Sequence, residues 1–316
     1  MTLDALRSAS GTMGGKRALA AALAGLERDP DGAAAQVLLD AAWREPRAHV
    51  VGVTGPPGVG KSSLCAALVA AWRRDGKTVG VIAVDPSSRA SGGALLGDRV
   101  RIVHDSADAG SFVRSMAARD RLGGLADQTL AAMVVMRALF DRVLIETVGV
   151  GQSETDVAGV ADTVVFCVQP GSGDSLQFMK AGIVEIPHLI VVTKADLGAA
   201  AERARADVAG ALSLAAAGEG ADWPVKALAV SSRNNAGMAT LLDTLDAHRA
   251  HMAEDGRLVV ARHRQSEGWV VESLRDRFGR DGIARLARLG FDLALAPGVQ
   301  PFQRLRELGA ALEASR

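Results

Sequence analysis

Residues 55–63 read GPPGVGKSS, between a strand-like run, HVVGVT (49–54), and a helix-like one that opens SLCAALVAAWRR (63–74). This spacing is GxxxxGK[ST], with Gly55, Gly60, Lys61 and Ser62 at the fixed positions. Glycines there permit positive φ and let backbone N–H groups approach phosphate oxygens closely. The helix that follows points its positive end at the same anion. Strand before and helix after make this a phosphate cradle in an α/β chain, with Gly58, Val59 and Ser63 completing its backbone. Lys61 is expected to reach the β- and γ-phosphates, and Ser62 to offer its hydroxyl to Mg²⁺.

The surrounding pattern agrees. From 49 to about 233, short Val- and Ile-rich runs alternate with longer amphipathic ones: HVVGVTG, TVGVIAVD, RVLIETVG, TVVFCVQP, HLIVVTKAD and VKALAVSS. Such runs, apolar on both faces, are how buried parallel strands with helical crossovers appear in sequence. The fold expected is a mostly parallel P-loop sheet flanked by helices, with helical extensions at both ends. Residues 1–46 predict two helices broken at DPDG (29–32), with Leu19, Ala22, Leu23 and Leu26 on the first and Val37, Leu38, Leu39, Ala42 and Trp43 on the second. Residues 47–235 are the nucleotide domain. Residues 236–316 predict helices with Met238, Leu241, Leu242 and Leu245 on one face, and Leu305, Leu308 and Leu312 behind a first-turn Pro301.

Bulk properties narrow the class. Of 316 residues 48% are apolar, and Lys+Arg and Asp+Glu are each 36, so no basic excess marks a nucleic-acid binder. No run approaches a membrane span, no signal-peptide pattern opens the chain, and a cytoplasmic protein is expected. Cys65 and Cys167 form no CxxC pair and are expected in the core.

In a parallel sheet, ligands sit beyond the carboxyl ends of the strands. VLIETVGVGQSETD (143–156) carries Glu146 to such an end, and VIAVDPSS (81–88) carries Asp85. Mg²⁺ favours a few carboxylates with water and phosphate oxygens. Asp85, Asp98 at the end of PSSRASGGALLGDR (86–99), and Glu146 are therefore its candidate acids. Gly149 and Gly151 would let the loop after Glu146 respond to the γ-phosphate. Gln152 in that loop is the candidate for orienting water.

A further strand end, VVTKAD (191–196), matches [NT]KxD. Asp196 would accept from the N1–H and N2–H₂ edge of guanine, which adenine lacks, and the stem of Lys194 would pack on the base. Thr193 stands where asparagine is commoner. Ser231 and Ser232, in SSR (231–233), are expected near the guanine O6.

In order and spacing, GPPGVGKSS, VDPSS, GGALLGD, ETVGVGQSE, GSGDSLQFMKAGI and TKAD resemble the MeaB/ArgK-type G-proteins, the GTPase chaperones of adenosylcobalamin-dependent methylmalonyl-CoA mutase and its relatives. The resemblance implies the parallel-sheet GTPase fold related to nickel-insertion GTPases, and slow hydrolysis of GTP to GDP and phosphate with Mg²⁺. It implies a third switch loop at 171–180 and a homodimer joined through the C-terminal helices. It also implies an acyl-CoA mutase partner, with its adenosyltransferase as another, whose cofactor loading and reactivation are gated. Two rival readings of the motifs stand beside this one. A metallochaperone GTPase of the same fold would need metal ligands, and His248 and His251, three apart, read as solvated. A P-loop small-molecule kinase would need a lid and an acceptor base, and none is recognisable.

Overall fold

Alternate residues of the central strands go to two different cores, which is why their sequence is apolar without a break. Val50, Ile82, Val143, Ile145 and Val164 join one buried cluster. Val51, Val53, Val81, Leu144, Val165, Cys167, Leu189 and Val191 join the other. The computed structural model describes residues 1–85, 107–117, 127–147, 156–171, 187–216 and 222–315. Its seven strands are β1 (His49–Thr54), β2 (Val79–Asp85), β3 (Ser111–Ala117), β4 (Arg142–Glu146), β5 (Thr163–Val168), β6 (Leu189–Val192) and β7 (Lys226–Ala229). All pair in parallel, in the order β3-β2-β4-β1-β5-β6-β7.

Six strands fall on the six expected runs. The seventh, β3, was not anticipated, and its residues explain why. SFVRSMA interrupts its apolar positions with Arg114 and Ser115, which an edge strand with one neighbour tolerates. Phe112 and Met116 are buried, Phe112 stacks on Phe140 with centroids 6.4 Å apart, and Arg114 pairs with Glu27 at 2.5 Å.

Helices cover both faces. The P-loop helix α4 (Lys61–Arg74) and α7 (Met238–Ala253) close one core through Leu64, Leu68, Trp72, Met238, Leu241 and Leu245. On the other side lie α2 (Met13–Arg28), α3 (Ala33–Arg44) and α5 (Asp127–Leu139), with α6 (Ala199–Ala216) over the β5–β6 end. A short α1 (Leu3–Ser8) precedes the two expected N-terminal helices. At six residues it is too brief to show a periodicity. The hydroxyls of Thr2 and Thr12 accept from the N–H of Ala5 and Gly15 and so start α1 and α2. Val37 departs from expectation: α3 buries Ala35, Leu38, Leu39 and Ala42 and leaves Val37 61% exposed.

Beyond α7, the long α8 (Arg257–Arg288) turns sharply at Gly279, whose φ is 69°. It then pairs with α9 (Pro301–Ala314) around Val270, Leu274, Leu286, Leu305, Leu308 and Leu312. Phe302 of α9 reaches back to Trp43 of α3 and Trp269 of α8, both edge-on. The first turns of α8 also grip the sheet. Arg262 forms a two-bond pair with Asp162, whose Oδ2 accepts the Val50 N–H as well. No helix among the described residues is long and apolar enough to cross a membrane.

At the amino ends of the strands, His248 is not solvated as its spacing suggested. It is fully buried, its ring tilted against His188 (centroids 4.3 Å apart) and edge-on to Trp223 (4.7 Å). Thr163 Oγ1 bridges His248 Nδ1 (2.7 Å) and His49 Nε2 (2.6 Å). The i, i+3 spacing of His248 and His251 put them on one helix face, but could not show that β5 and the approaches to β6 and β7 cover that face.

Candidate functional site

The carboxyl ends of the strands bring together most of the residues singled out above. Strand β1 lies at the centre of the sheet, and chain order reverses around it: β2 and β3 lie to one side, β5, β6 and β7 to the other. Glu146 at the end of β4 is in register with Val53 of β1 and Ala83 of β2. Asp85 closes β2 two positions beyond Ala83.

The loop after β1 needs its glycines. Gly55 has φ 134°, and a Cβ there would lie 2.3 Å from the carbonyl oxygen of Cys167. Gly60, at φ 103°, turns the chain into α4 in a conformation other residues rarely adopt. Lys61 is the first residue of α4 and only 7% exposed. Its Nζ donates to Gly55 O at 2.7 Å and Pro56 O at 3.0 Å, which fixes the ammonium over the loop. Ser62 Oγ donates to Glu146 Oε1 at 2.5 Å. Below them Thr147 Oγ1 donates to Thr54 Oγ1 at 2.8 Å, and Thr147 N–H to Val53 O, so the ends of β1 and β4 stay side by side.

The [NT]KxD turn leaves β6 against this loop. Thr193 is buried, and its Oγ1 lies 2.6 Å from Val59 O and 3.0 Å from Val168 O. Lys194 adopts a left-handed conformation, φ 57°, and its Nζ donates to Gly58 O (3.3 Å) and Gln169 Oε1 (2.5 Å). Asp196 accepts from Ser231 Oγ at 2.7 Å, with Arg233 Nη1 3.9 Å away. The Ser231 bond first, then its own backbone N–H, hold the Asp196 carboxyl below the usual carboxylate range, so it is an acceptor at neutral pH. Ser231 is itself fixed, fully buried with its N–H on Ala236 O. Ser232 is exposed and lines an open groove of about 530 Å³ with Ser63, Arg74, Arg233 and Asn235.

The phosphate loop and the TKAD turn thus meet at one edge, with Glu146 beside Ser62. Asp98, Gln152, the glycines 149 and 151, and the stretch 172–180 lie outside the described residues, while Gly171 is described with φ 77°. Motif matching missed Gln169 and the Thr54–Thr147 pair. The signal for Gln169 was available, since it follows TVVFCV at the same sheet edge. Cys65 and Cys167 are free and buried as expected, and burial pushes the Cys167 thiol up to about 12. Among the described residues no group of three or more His, Cys, Asp or Glu is arranged to hold a metal ion.

Comparison with known proteins agrees with this geometry. The family model described as methylmalonyl Co-A mutase-associated GTPase MeaB matches residues 18–284. A putative GTPase of Pyrococcus abyssi is 44% identical over 222 residues, covering 70% of this chain and 68% of that protein. A putative GTPase of Caulobacter vibrioides is 37% identical, covering 85% and 82%. The mitochondrial methylmalonic aciduria type A homolog of Mus musculus is 35% identical over 266 residues, covering 80% of this chain and 64% of that one. Among solved structures, a LAO/AO transport system kinase superposes over 98% of this chain and 96% of its own, with a TM-score of 0.67 and 27% identity. With a P-loop, a strand-end glutamate and a TKAD turn converging on one edge of a parallel sheet, this chain belongs to the MeaB family of P-loop GTPases.

Proposed function

We propose that this GTPase serves an adenosylcobalamin-dependent acyl-CoA mutase, methylmalonyl-CoA mutase or a relative, and gates the loading and reactivation of its cofactor. The observation that carries the chemistry is the 2.5 Å contact of Ser62 Oγ with Glu146 Oε1 beside the phosphate loop. What supports the partner is the family description, with the 35% identity to the mouse methylmalonic aciduria type A homolog.

In this reading GTP lies along the loop, with the N–H groups of Gly58, Val59, Gly60, Ser62 and Ser63 and the Lys61 ammonium around its phosphates. The hydroxyl of Ser62 and the carboxylate of Glu146 are hard oxygen donors side by side, the donor chemistry that Mg²⁺ prefers. Ser62 would hold the ion, with Glu146, Asp85 and Asp98 binding it directly or through water. Bound there, Mg²⁺ would neutralise charge on the phosphate oxygens. Lys61 and the loop amides stabilise charge as the terminal phosphate leaves, and Gln152 orients the attacking water. Asp196 takes the donor edge of guanine, while Lys194, Ser231 and Ser232 flank the base.

No arginine finger in cis is identifiable from the sequence motifs. Intrinsic turnover is therefore slow, and a partner that supplies or orders the missing group raises it, by about 10³–10⁵-fold where a full arginine finger is donated. The protein works in the cytoplasm as a homodimer joined through residues 236–316, with 1–46 as an N-terminal extension of the 47–235 GTPase domain. The adenosyltransferase that makes the cofactor is a further partner.

The test is phosphate release from GTP by the purified protein, alone and with each of a panel of adenosylcobalamin-dependent acyl-CoA mutases, with ATP as control. The expected result is a slow GTP rate raised strongly by one mutase. GTP turnover indifferent to every mutase would remove the chaperone role. A preference for ATP would remove the assignment of Asp196.

A further inference from the structure

Thr193 and Lys194, neighbours in sequence, hold two neighbouring carbonyls of the phosphate loop. Thr193 Oγ1 lies 2.6 Å from Val59 O, and Lys194 Nζ lies 3.3 Å from Gly58 O. Thr193 is 5% exposed, and its backbone N–H already donates to Val168 O at 2.8 Å. A threonine hydroxyl has one proton to donate. Here that proton faces two carbonyl acceptors, Val59 O and, at 3.0 Å, Val168 O. Carbonyl oxygens cannot donate back, so the contact fixes the hydroxyl as a donor into the protein and leaves it no proton for a ligand.

Asparagine, the commoner residue at this place in the motif, differs by one proton. Its amide has two N–H groups, and one can hold the loop carbonyl while the other remains for an acceptor on the base. Guanine presents N1–H and N2–H₂ on one edge and the acceptors O6 and N7 on another. Asp196 can satisfy the first edge. Ser231 Oγ, beside it, donates to Asp196 Oδ1.

We infer that Thr193 is a positioning residue, a strut from the base-reading turn to the phosphate loop that gives nothing to the base. The site then recognises guanine through its donor edge and does not read N7. This rests on the guanine-nucleotide reading above and narrows it. The strut also links the two halves of the nucleotide site. If the Val59–Thr193 bond is lost, the loop and the turn shift independently, and the affinity for any guanine nucleotide falls.

The test compares GDP with 7-deaza-GDP, in which N7 is replaced by C–H, by calorimetric titration of the intact protein. The wild-type protein binds both within about twofold, less than one hydrogen bond is worth. Thr193→Asn supplies the missing proton and favours GDP over 7-deaza-GDP by roughly 3–10-fold, the range of one neutral hydrogen bond. Thr193→Val, of similar shape without the hydroxyl, weakens both nucleotides by one common factor, and Thr193→Ser restores both. A wild-type preference for GDP of about tenfold or more would overturn the inference, because N7 would then be read. So would an asparagine variant still indifferent to N7, or a valine variant that binds both like wild type. Absence of GDP binding in the wild-type protein would instead overturn the guanine reading itself, so the two failures are distinct.

Discussion

Ser62 Oγ donates to Glu146 Oε1 across 2.5 Å, joining the first turn of the P-loop helix to the end of β4. Glu146 is in register with Val53, two residues before the loop begins, so phosphate loop and carboxylate are held by adjacent strands. Glu146 is 9% exposed, so the Ser62 hydroxyl stands in for water that the carboxylate has lost. The role proposed for it at the ion predicts a specific defect. Glu146→Gln and Ser62→Ala should each raise the Mg²⁺ concentration for half-maximal GTP hydrolysis by about 10–100-fold, the usual effect of removing a group that orients a metal's ligands. Phosphate release at saturating GTP over a range of Mg²⁺ reads this directly. Unchanged Mg²⁺ dependence in both variants would remove the pair from the metal's surroundings.

Close packing beneath the site yields the next prediction. Gly52 of β1 faces Val157 and Ala161, and a Cβ at Gly52 would lie 2.3 Å from Val157 Cγ2 and 3.0 Å from Ala161 Cβ. The short helical turn at Val157–Gly159 can lie on β1 only because residue 52 has no side chain. Gly52→Ala should destabilise the fold by about 1–3 kcal/mol through overpacking. Adding Val157→Ala makes room and should recover part of that loss. Urea unfolding of the two single variants and the double variant measures the coupling. Strict additivity of the two changes would show that the contact does not limit the packing.

Three histidines, His49 and His248 buried and His188 half-buried, set the behaviour in mild acid. Burial lowers His49 to about 4 against the pull of Asp162, and burial likewise lowers His188 to about 4. His248 is lowered to about 3, by burial first and then by its neighbour His188. Geometry agrees for His188, whose Nδ1 accepts the Val164 N–H at 2.9 Å and cannot do so once protonated. Each histidine is neutral in the folded protein while the unfolded chain takes a proton near 6.5, so the unfolded state binds more protons between those values. Stability is therefore full above pH 6.5 and falls as the pH drops toward 4. The slope approaches about 1.4 kcal/mol per pH unit for each histidine. Urea titrations from about pH 7.5 to 4.5 should show it, and His248→Phe, which keeps an aromatic ring against His188 and Trp223, should flatten it by about a third. A flat profile in that window would mean that these rings are protonated in the fold.

How much could be read from the sequence depended on whether a feature was local. Gly55, Gly60, Lys61 and Ser62 announce their geometry because a loop that wraps phosphate needs those residues within eight positions. Five strands were legible because burial on both faces demands a run rich in Val and Ile, and β7, part-exposed at the far edge, was legible as a short apolar run that stops at two serines. Strand β3 was not, since Arg114, which pairs with Glu27, and Ser115 break its apolar run at the sheet edge. The hydroxyl of Thr193 could not be followed to Val59, because 134 residues separate them and the contact exists only once β6 lies two strands from β1. His248 failed for the same reason: whether a helix face is solvated depends on what packs over it.

The same non-local character marks the Asp162–Arg262 pair, which nothing in the sequence singles out. Asp162 is 3% exposed and accepts from Arg262 Nε at 2.8 Å, Arg262 Nη2 at 2.7 Å and Val50 N–H at 2.8 Å. Burial alone would push its carboxyl up, but the bonds and charge of Arg262 prevail and hold it below the usual range. Arg262 Nη2 also donates to Ala48 O, and one turn further along α8 Gln265 Nε2 donates to Ala158 O and Ala161 O, both at 2.8 Å. The start of α8 therefore holds residues 158–162 ahead of β5 from below, while Val157 packs against Gly52 of β1. Arg262→Met leaves Asp162 buried with no cation on it, and a broken buried pair typically costs about 3–5 kcal/mol. Asp162→Asn combined with Arg262→Met removes the stranded charge and should recover a large part of that loss. Chemical unfolding at about pH 7.5, above the histidine transition, separates this effect from the histidines. If Arg262→Met alone costs less than about 1 kcal/mol, the value of an exposed pair, then water reaches Asp162 and α8 is not anchored there.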